Sequence, residues 1–396
     1  MSEQPVGAGS HAHSHSGRLD LAPKDRRRVQ LILAAIVVPI AVLTIVGLAM
    51  LWPRGETPVG SVQLTAPGVE MAVGEVTSVA EMDELGQTRV LMDVDGVEVP
   101  VHVPFDIVDN GLDVGDRITA MFNPTALDTG TPYIFVDFVR DFPLAVLLVL
   151  YVFVVLLVAR VKGLAALAGL AASLAVVGAF MLPALMVGKE PLLVVIVGAS
   201  AMMFASIYLA HGVSIRTTTA VLGTFGGLII TGVLAAWAVE ANNLTGTLSG
   251  DAIALYGELG YLKMSDILLT GIVLAGLGAL NDVTITQVST VWELHSANPA
   301  ASRRRVFSQG MVIGRDHIAS TVYTLAFAYV GTSLPLLMSA ALVDRGFLDL
   351  MTVGQIAEEI VRTLVASIGL VLAIPMTTAI ATWLAPVAPA KRVLAK

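Results

Sequence analysis

The chain contains no cysteine. Disulfide staples, thiolate metal sites and cysteine nucleophiles are therefore excluded. Charge is scarce: 14% of the 396 residues are Asp, Glu, Lys or Arg, and 6% are aromatic. No HExxH occurs, so the commonest zinc-hydrolase signature is missing. No A-x-A-like cleavage site follows the first apolar run, which reads as an uncleaved helix rather than a signal peptide. No inverted repeat is visible. What fills the chain is apolar: 56% hydrophobic, with a mean hydropathy of +0.81. That is the composition of an α-helical polytopic membrane protein.

Runs of about 20 apolar residues mark transmembrane helices. Eight are expected, at roughly 29–52, 142–160, 163–187, 191–210, 217–239, 266–288, 312–343 and 364–385. The seventh is long and is expected to begin with an interfacial turn. Arg26–Arg28, Arg160 with Lys162, Arg216, Arg303–Arg305, and Lys391, Arg392 and Lys396 fall on one side if the spans alternate. Positive charge stays in the cytoplasm. Both termini are therefore expected there, in a cytoplasmic (cell) membrane, with residues 53–141 outside. The expected domains are a disordered tail over 1–28, a first helix at 29–52, an acidic domain at 53–141, a seven-helix bundle at 142–385 and a tail at 386–396. Pro183, Pro335 and Pro375 lie inside spans and read as kinks.

Residues 53–142 hold sixteen Asp or Glu against four Arg, a net of −12, leaving the rest of the chain at +4. Within them "GEVTSV", "TRVLMDV", "VEVPVHV", "DRITAMF" and "YIFVDF" alternate or carry β-branched and aromatic residues, as strands do. Asp95-Gly96 signals a two-residue hairpin and "DVGD" at 113–116 another turn. Five short strands suggest a small all-β, OB-like barrel outside the membrane. Its acidity argues against nucleic acid as a ligand, because phosphates need Lys and Arg. It reads either as a module that docks an envelope protein or as a solvated lid.

Asp282 raises the sharpest question. It follows Asn281 in the cytoplasmic third of span six, too deep to be a helix cap. A lone carboxylate there costs a few kcal/mol or more, so it must be protonated, paired or facing water. Gly271, Ala275, Gly278, Asp282, Thr286, Ser289 and Glu293 recur at steps of three and four and share one helix face. Gly310, Gly314, His317, Thr321, Thr324, Ala328 and Gly331 do the same on span seven. Two consecutive antiparallel spans would bring Asp282 level with Arg315, Asp316 and His317. Arg315 could then neutralise Asp282, and His317 could relay a proton. The alternative is ordinary small-residue packing with a structural ion pair.

A secondary polar site is expected in "LAHGVSIRTTTAVLGTFGG", where His211, Arg216 and Thr217 sit between spans four and five. Ser214 or Thr217 would cap span five, and its N-terminus would favour an anion. His11, His13 and His15 could hold a transition metal weakly but read as part of a disordered tail. "AASRRRVF" at 300–307 reads as a basic loop against anionic headgroups.

"LGALNDVTITQVSTVWEL", then "NP", then "FSQGMVIGRDHIASTVYTLAFAYVG", resembles the YibE/F family of bacterial multi-pass membrane proteins. So does "HGVSIRTTTAVLGT". The similarity covers roughly residues 140–385, and the first helix and acidic domain look like the usual N-terminal part of longer members. Asn281 stands where an apolar residue or Met is more usual. The resemblance implies the bundle architecture and the choice of Asp282, Glu293, Gly314, Arg315 and Asp316. It supplies no substrate.

Three functions compete. The leading expectation is a transporter or permease with a substrate or ion site made of Asn281, Asp282, Thr286, Glu293, Arg315, Asp316, His317 and Thr321, coupled to protons or cations. The second is an accessory or scaffold protein whose acidic domain holds an envelope partner. The third is an intramembrane enzyme using Asp282 and Asp316 as an unequal carboxylate pair. The bilayer is the expected surrounding, and small-residue faces on spans three and six would permit a homo-oligomer. No cofactor and no resident metal are expected.

Overall fold

The computed structural model describes residues 22–62, 69–82, 87–124 and 132–385. His11, His13 and His15, and the cations at 391, 392 and 396, lie outside them. The chain forms two compact units, Glu56–Leu164 and Met1–Gly55 with Ala165–Lys396.

In the first unit the five expected strands are all present: β1 (Glu70–Met82), β2 (Gln87–Val94), β3 (Val97–Pro104), β4 (Arg117–Phe122) and β5 (Tyr133–Phe138). They close into a barrel in the order β1-β2-β3-β5-β4. Every pairing is antiparallel except β3 with β5. Alternation decides which residues face inward. Val90 and Met92, Val101 and Val103, and Ile118 and Ala120 all point into the core with Val76 and Leu112. Asp95 and Gly96 turn the β2–β3 hairpin with φ of 53° and 87°. Two positive φ values match the right-handed strand twist, and only a short polar residue and glycine adopt them cheaply. Asp93 Oδ1 accepts the Gly96 N–H at 2.7 Å. The turn at 113–116 is closed by Asp116 Oδ2 accepting the Asp113 N–H at 2.9 Å. A short helix, α2 (Phe105–Asp109), separates β3 from β4 and was not foreseen. Past β5, Arg140 donates to Asp137 at 2.7 Å and holds that carboxyl below its usual range.

The helices are α1 (Pro23–Leu51), α3 (Asp141–Val176), α4 (Leu182–Met186), α5 (Pro191–His211), α6 (Ile215–Ala241), α7 (Gly250–Glu258), α8 (Met264–Ala297), α9 (Arg303–Thr332), α10 (Leu334–Ala341), α11 (Phe347–Met351) and α12 (Gly354–Leu384). Among the described residues six are long and apolar enough to cross a membrane, or seven if the bent pair α9–α10 is one span. The expected number was eight. Besides the bent pair, the difference lies at Arg160. The spans expected at 142–160 and 163–187 form one helical stretch, Asp141–Met186, through a π-turn at Val177–Met181. Arg160 interrupts it with φ 53° and ψ −130°. A Cβ on Gly163 would stand 2.7 Å from the Val155 carbonyl oxygen. Eight residues of unbroken helix would separate those positions by about 12 Å. The chain therefore folds back sharply at Arg160.

Two further boundaries differ. α1 begins at Pro23, ahead of the expected start at Val29: proline at the first helical positions and Asp25 in the first turn favour helix there. The break in span seven lies at its far end, not its beginning. α9 and α10 meet at 67° around Ser333, where Pro335 has no N–H to continue the helix.

The helical core is the trio α6, α8 and α12. α6 and α12 run antiparallel in close register. A Cβ on Gly223 would stand 3.0 Å from Thr377 Cβ, one on Gly227 3.1 Å from Ala373 Cβ, and one on Gly369 3.1 Å from Thr231 Cβ. Glycine faces threonine at both ends of the contact, with the roles exchanged. This is small-residue packing of the kind bilayer helices use in place of hydrophobic drive. Thr224 and Thr284 hydrogen-bond at 2.7 Å across α6 and α8. α9 docks through Gly310 and Gly314, whose missing Cβ atoms make room for Gln287 and Val291 of α8 and for Ile374 and Thr378 of α12.

Candidate functional site: a polar cavity on α8

α8 carries two faces with different jobs. Leu280, Val283, Thr284, Gln287 and Val291 are buried. Gln287 lies at the centre of the junction with α9 and α12: its Nε2 donates to Gly310 O at 2.9 Å and to Thr378 Oγ1 at 2.7 Å. Asp282 lies five positions back, about 140° round the helix. It faces a cavity of about 720 Å³ between α8, α5 and the second half of α3.

The stripe is thus real as a face, but it does not pack. A Cβ on Gly271 or Gly278 would meet nothing within 4 Å, whereas one on Gly276 would touch Ala366. The floor of the cavity is polar. Asn281 Nδ2 donates to Ser206 Oγ of α5 at 3.1 Å, and its buried Oδ1 has no partner. Gly169 of α3 lets that helix cross α5 at Ser206, where a Cβ would stand 3.2 Å from the Ser206 Cα. Ser173, Thr286, Ser289 and His211 complete the polar lining. Elsewhere in these helices Phe180, Met181, Ala199, Ile272 and Val273 belong to one packed cluster.

The expected meeting of Asp282 with Arg315 is not found. Gly310 and Gly314 define the α9 face that meets α8, and Arg315 and Asp316 are exposed and turned away from it. α9 meets α8 on its Gln287 face, so the two carboxylates, Asp282 and Asp316, share no cavity. Among the described residues neither Asp282 nor Arg315 forms an ion pair. His317 and Thr321 stay on α9, where the Thr321 hydroxyl donates to His317 O at 2.8 Å. The physical reason is crowding: glycines 310 and 314 draw α9 against the bulkier, hydrogen-bonding side of α8.

Two expectations that were separate come together instead. Arg216 at the start of α6 pairs with Glu293 at 2.8 Å, with side chains 23% and 67% exposed. So exposed a pair is worth at most about 1 kcal/mol. His211, from the same polar segment, lines the Asp282 cavity. Ser214 caps α6 in a capping box with Thr217, whose buried hydroxyl also donates to Gly212 O at 2.8 Å. Thr217 is thus spent on the helix end and offers nothing to an anion.

Ser173, Ser206 and Gln287 were missed. The signal was present, since each is a polar side chain within an apolar span. Small-residue periodicity drew attention to α9 instead. Among the described residues no three His, Asp or Glu side chains converge as metal ligands. No curated protein and no solved structure gives a significant match. A family described as YibE/F-like protein matches residues 147–387, from early α3 to just past the end of α12 and including every residue that lines the cavity, and the chain belongs to that family.

Proposed function

We propose that the chain is a membrane transporter or permease whose site is the α3–α5–α8 cavity, with Asp282 as its central charge. The observation that carries this reading is an ionisable residue facing unfilled, hydroxyl-lined space in the middle of a long apolar helix. An intramembrane carboxylate in that setting marks a substrate or ion path. Reading the fold-back at Arg160 as a loop between two spans, and α9–α10 as one bent span, restores eight crossings. Asp141 to Arg160 and Arg160 to Met186 are each long enough to cross. An even number keeps both termini on one side, and the basic loops make that side the cytoplasm of a bacterial cell membrane. The barrel then lies outside. Its strand order, with β3 parallel to β5, supports an OB-type reading.

Under this arrangement the cavity opens toward the cytoplasm, at the His211 and Ser289 end. The absence of native cysteine permits a clean test. Thr286→Cys and Ser289→Cys are expected to react with an impermeant thiol reagent in inverted vesicles. In intact cells they are expected to be protected until the protein cycles. Protection from both sides would remove the transport reading. A second reading, an envelope scaffold, then gains from the barrel, whose Glu70, Glu75, Glu98, Asp106 and Asp109 are exposed beside exposed Met71, Val73 and Phe105.

A further inference from the structure

We propose that the cargo of the α3–α5–α8 cavity is an organic ammonium: a protonated amine on an apolar body. The proposal rests on reading the cavity as the transport site and names its substrate class.

The lining is a surface of hydrogen-bond acceptors. Each of its hydroxyls spends its one hydrogen on a backbone carbonyl of its own helix. Ser173 donates to Gly169 O at 2.9 Å, Ser206 to Met203 O at 3.3 Å, Thr286 to Asp282 O at 2.8 Å and Ser289 to Ile285 O at 2.8 Å. A hydroxyl so engaged has only lone pairs left to offer. Asn281 gives one amide hydrogen to Ser206 Oγ and leaves its buried Oδ1 without a partner. Among the described residues no Lys or Arg lines the cavity, Asp282 is its one carboxylate and His211 is its one imidazole. The α5 C-terminus adds to the same sign: Ala210 and His211, its last two residues, belong to the lining, and a helix C-terminus carries a partial negative charge. An anion would find no Lys, no Arg and no free hydroxyl hydrogen here. An ammonium finds a carboxylate, lone pairs and a dipole.

Size and walls argue for an organic cation over a bare ion. About 720 Å³ lies within the range of pockets built for small organic ligands. Leu170, Met202, Ile207, Leu274, Leu277 and Ile285 give it aliphatic walls. A metal ion would leave most of that surface wet.

The test uses the full chain in phosphatidylcholine nanodiscs and three probes of one shape: 3-phenylpropylammonium, 3-phenylpropanoate and 3-phenylpropanol. Calorimetry, with empty nanodiscs subtracted, is expected to show saturable binding of the ammonium alone. The isosteric Asp282→Asn should weaken it at least ten-fold, and Asp282→Glu should retain it. Gly278→Leu, placed in open space, should abolish binding while melting like the wild type, so lost binding cannot be blamed on lost fold. Equal binding of all three probes, saturable binding of the carboxylate, unchanged affinity in Asp282→Asn, or no ammonium binding each overturns the proposal. If ammonium binding fails while Thr286→Cys still labels from the cytoplasmic side, the cargo class falls and the transport site stands. If the label fails as well, the site falls with it.

Discussion

Gly369→Leu and Gly223→Leu are each expected to destabilise the helical unit by about 3 kcal/mol, with a large loss of folded protein in the membrane. At both positions the new Cβ overlaps a threonine hydroxyl on the facing helix outright. Neither threonine can retreat. Thr231 and Thr377 are fully buried, and Thr231 also donates to Gly227 O at 2.8 Å. A β-branched side chain has few rotamers to move into. The helices must separate, which breaks the neighbouring Gly227–Ala373 approach as well. Overpacking of this kind costs typically 1–3 kcal/mol and sometimes more. Gly271→Leu and Gly278→Leu enter open space and are expected to stay within about 0.5 kcal/mol of the parent. Unfolding of the purified protein in graded SDS separates the two pairs. Equal losses in all four variants would mean that the cavity face packs and that the α6–α12 register is wrong.

Gln287→Leu carries the second large effect. The shape is nearly kept, but the Gly310 carbonyl loses the Gln287 side-chain donor. Thr378 Oγ1 already gives its hydrogen to Ile374 O at 2.7 Å and loses the bond it accepted. Removing one partner from a buried polar pair costs about 1–3 kcal/mol. Interhelical hydrogen bonds in a bilayer average nearer 0.6 kcal/mol and reach about 1.7. Since two bonds go together, a loss of about 1–2 kcal/mol is expected in the same SDS titration. The leucine variant being as stable as the parent would show that Gly310 and Gly314, not Gln287, hold α9 in place.

What could be read in the sequence follows the physics of each element. The barrel was legible strand by strand because alternation and a two-residue hairpin are local signals. Apolar runs located the helices for the same reason. The boundary at Arg160 was legible from the basic residues between two apolar runs, but the sharp turn was not, because only the backbone angles of one residue mark it. The face bearing Asp282 was legible from its spacing. Its partner was not. Two small-and-polar stripes on consecutive helices suggested each other, yet glycines 310 and 314 meet Gln287, and glycines 271 and 278 meet empty space. Periodicity identifies a face and leaves open whether that face packs or lines a cavity. Only tertiary contacts decide it, and here they set Ser206 against Asn281 and bring Ser173 into the same lining.

The central claim is that the Asp282 face of α8 looks onto α5 and α3, not onto α9. The direct measurement is cross-linking in native membranes with a short bifunctional thiosulfonate, read as linked peptides by mass spectrometry. The parent chain has no cysteine to interfere. Ser206→Cys with Asn281→Cys should link in high yield, and Asp282→Cys with Arg315→Cys should not. A link between positions 282 and 315, with none between 206 and 281, would contradict the account and return the polar site to the α8–α9 pair.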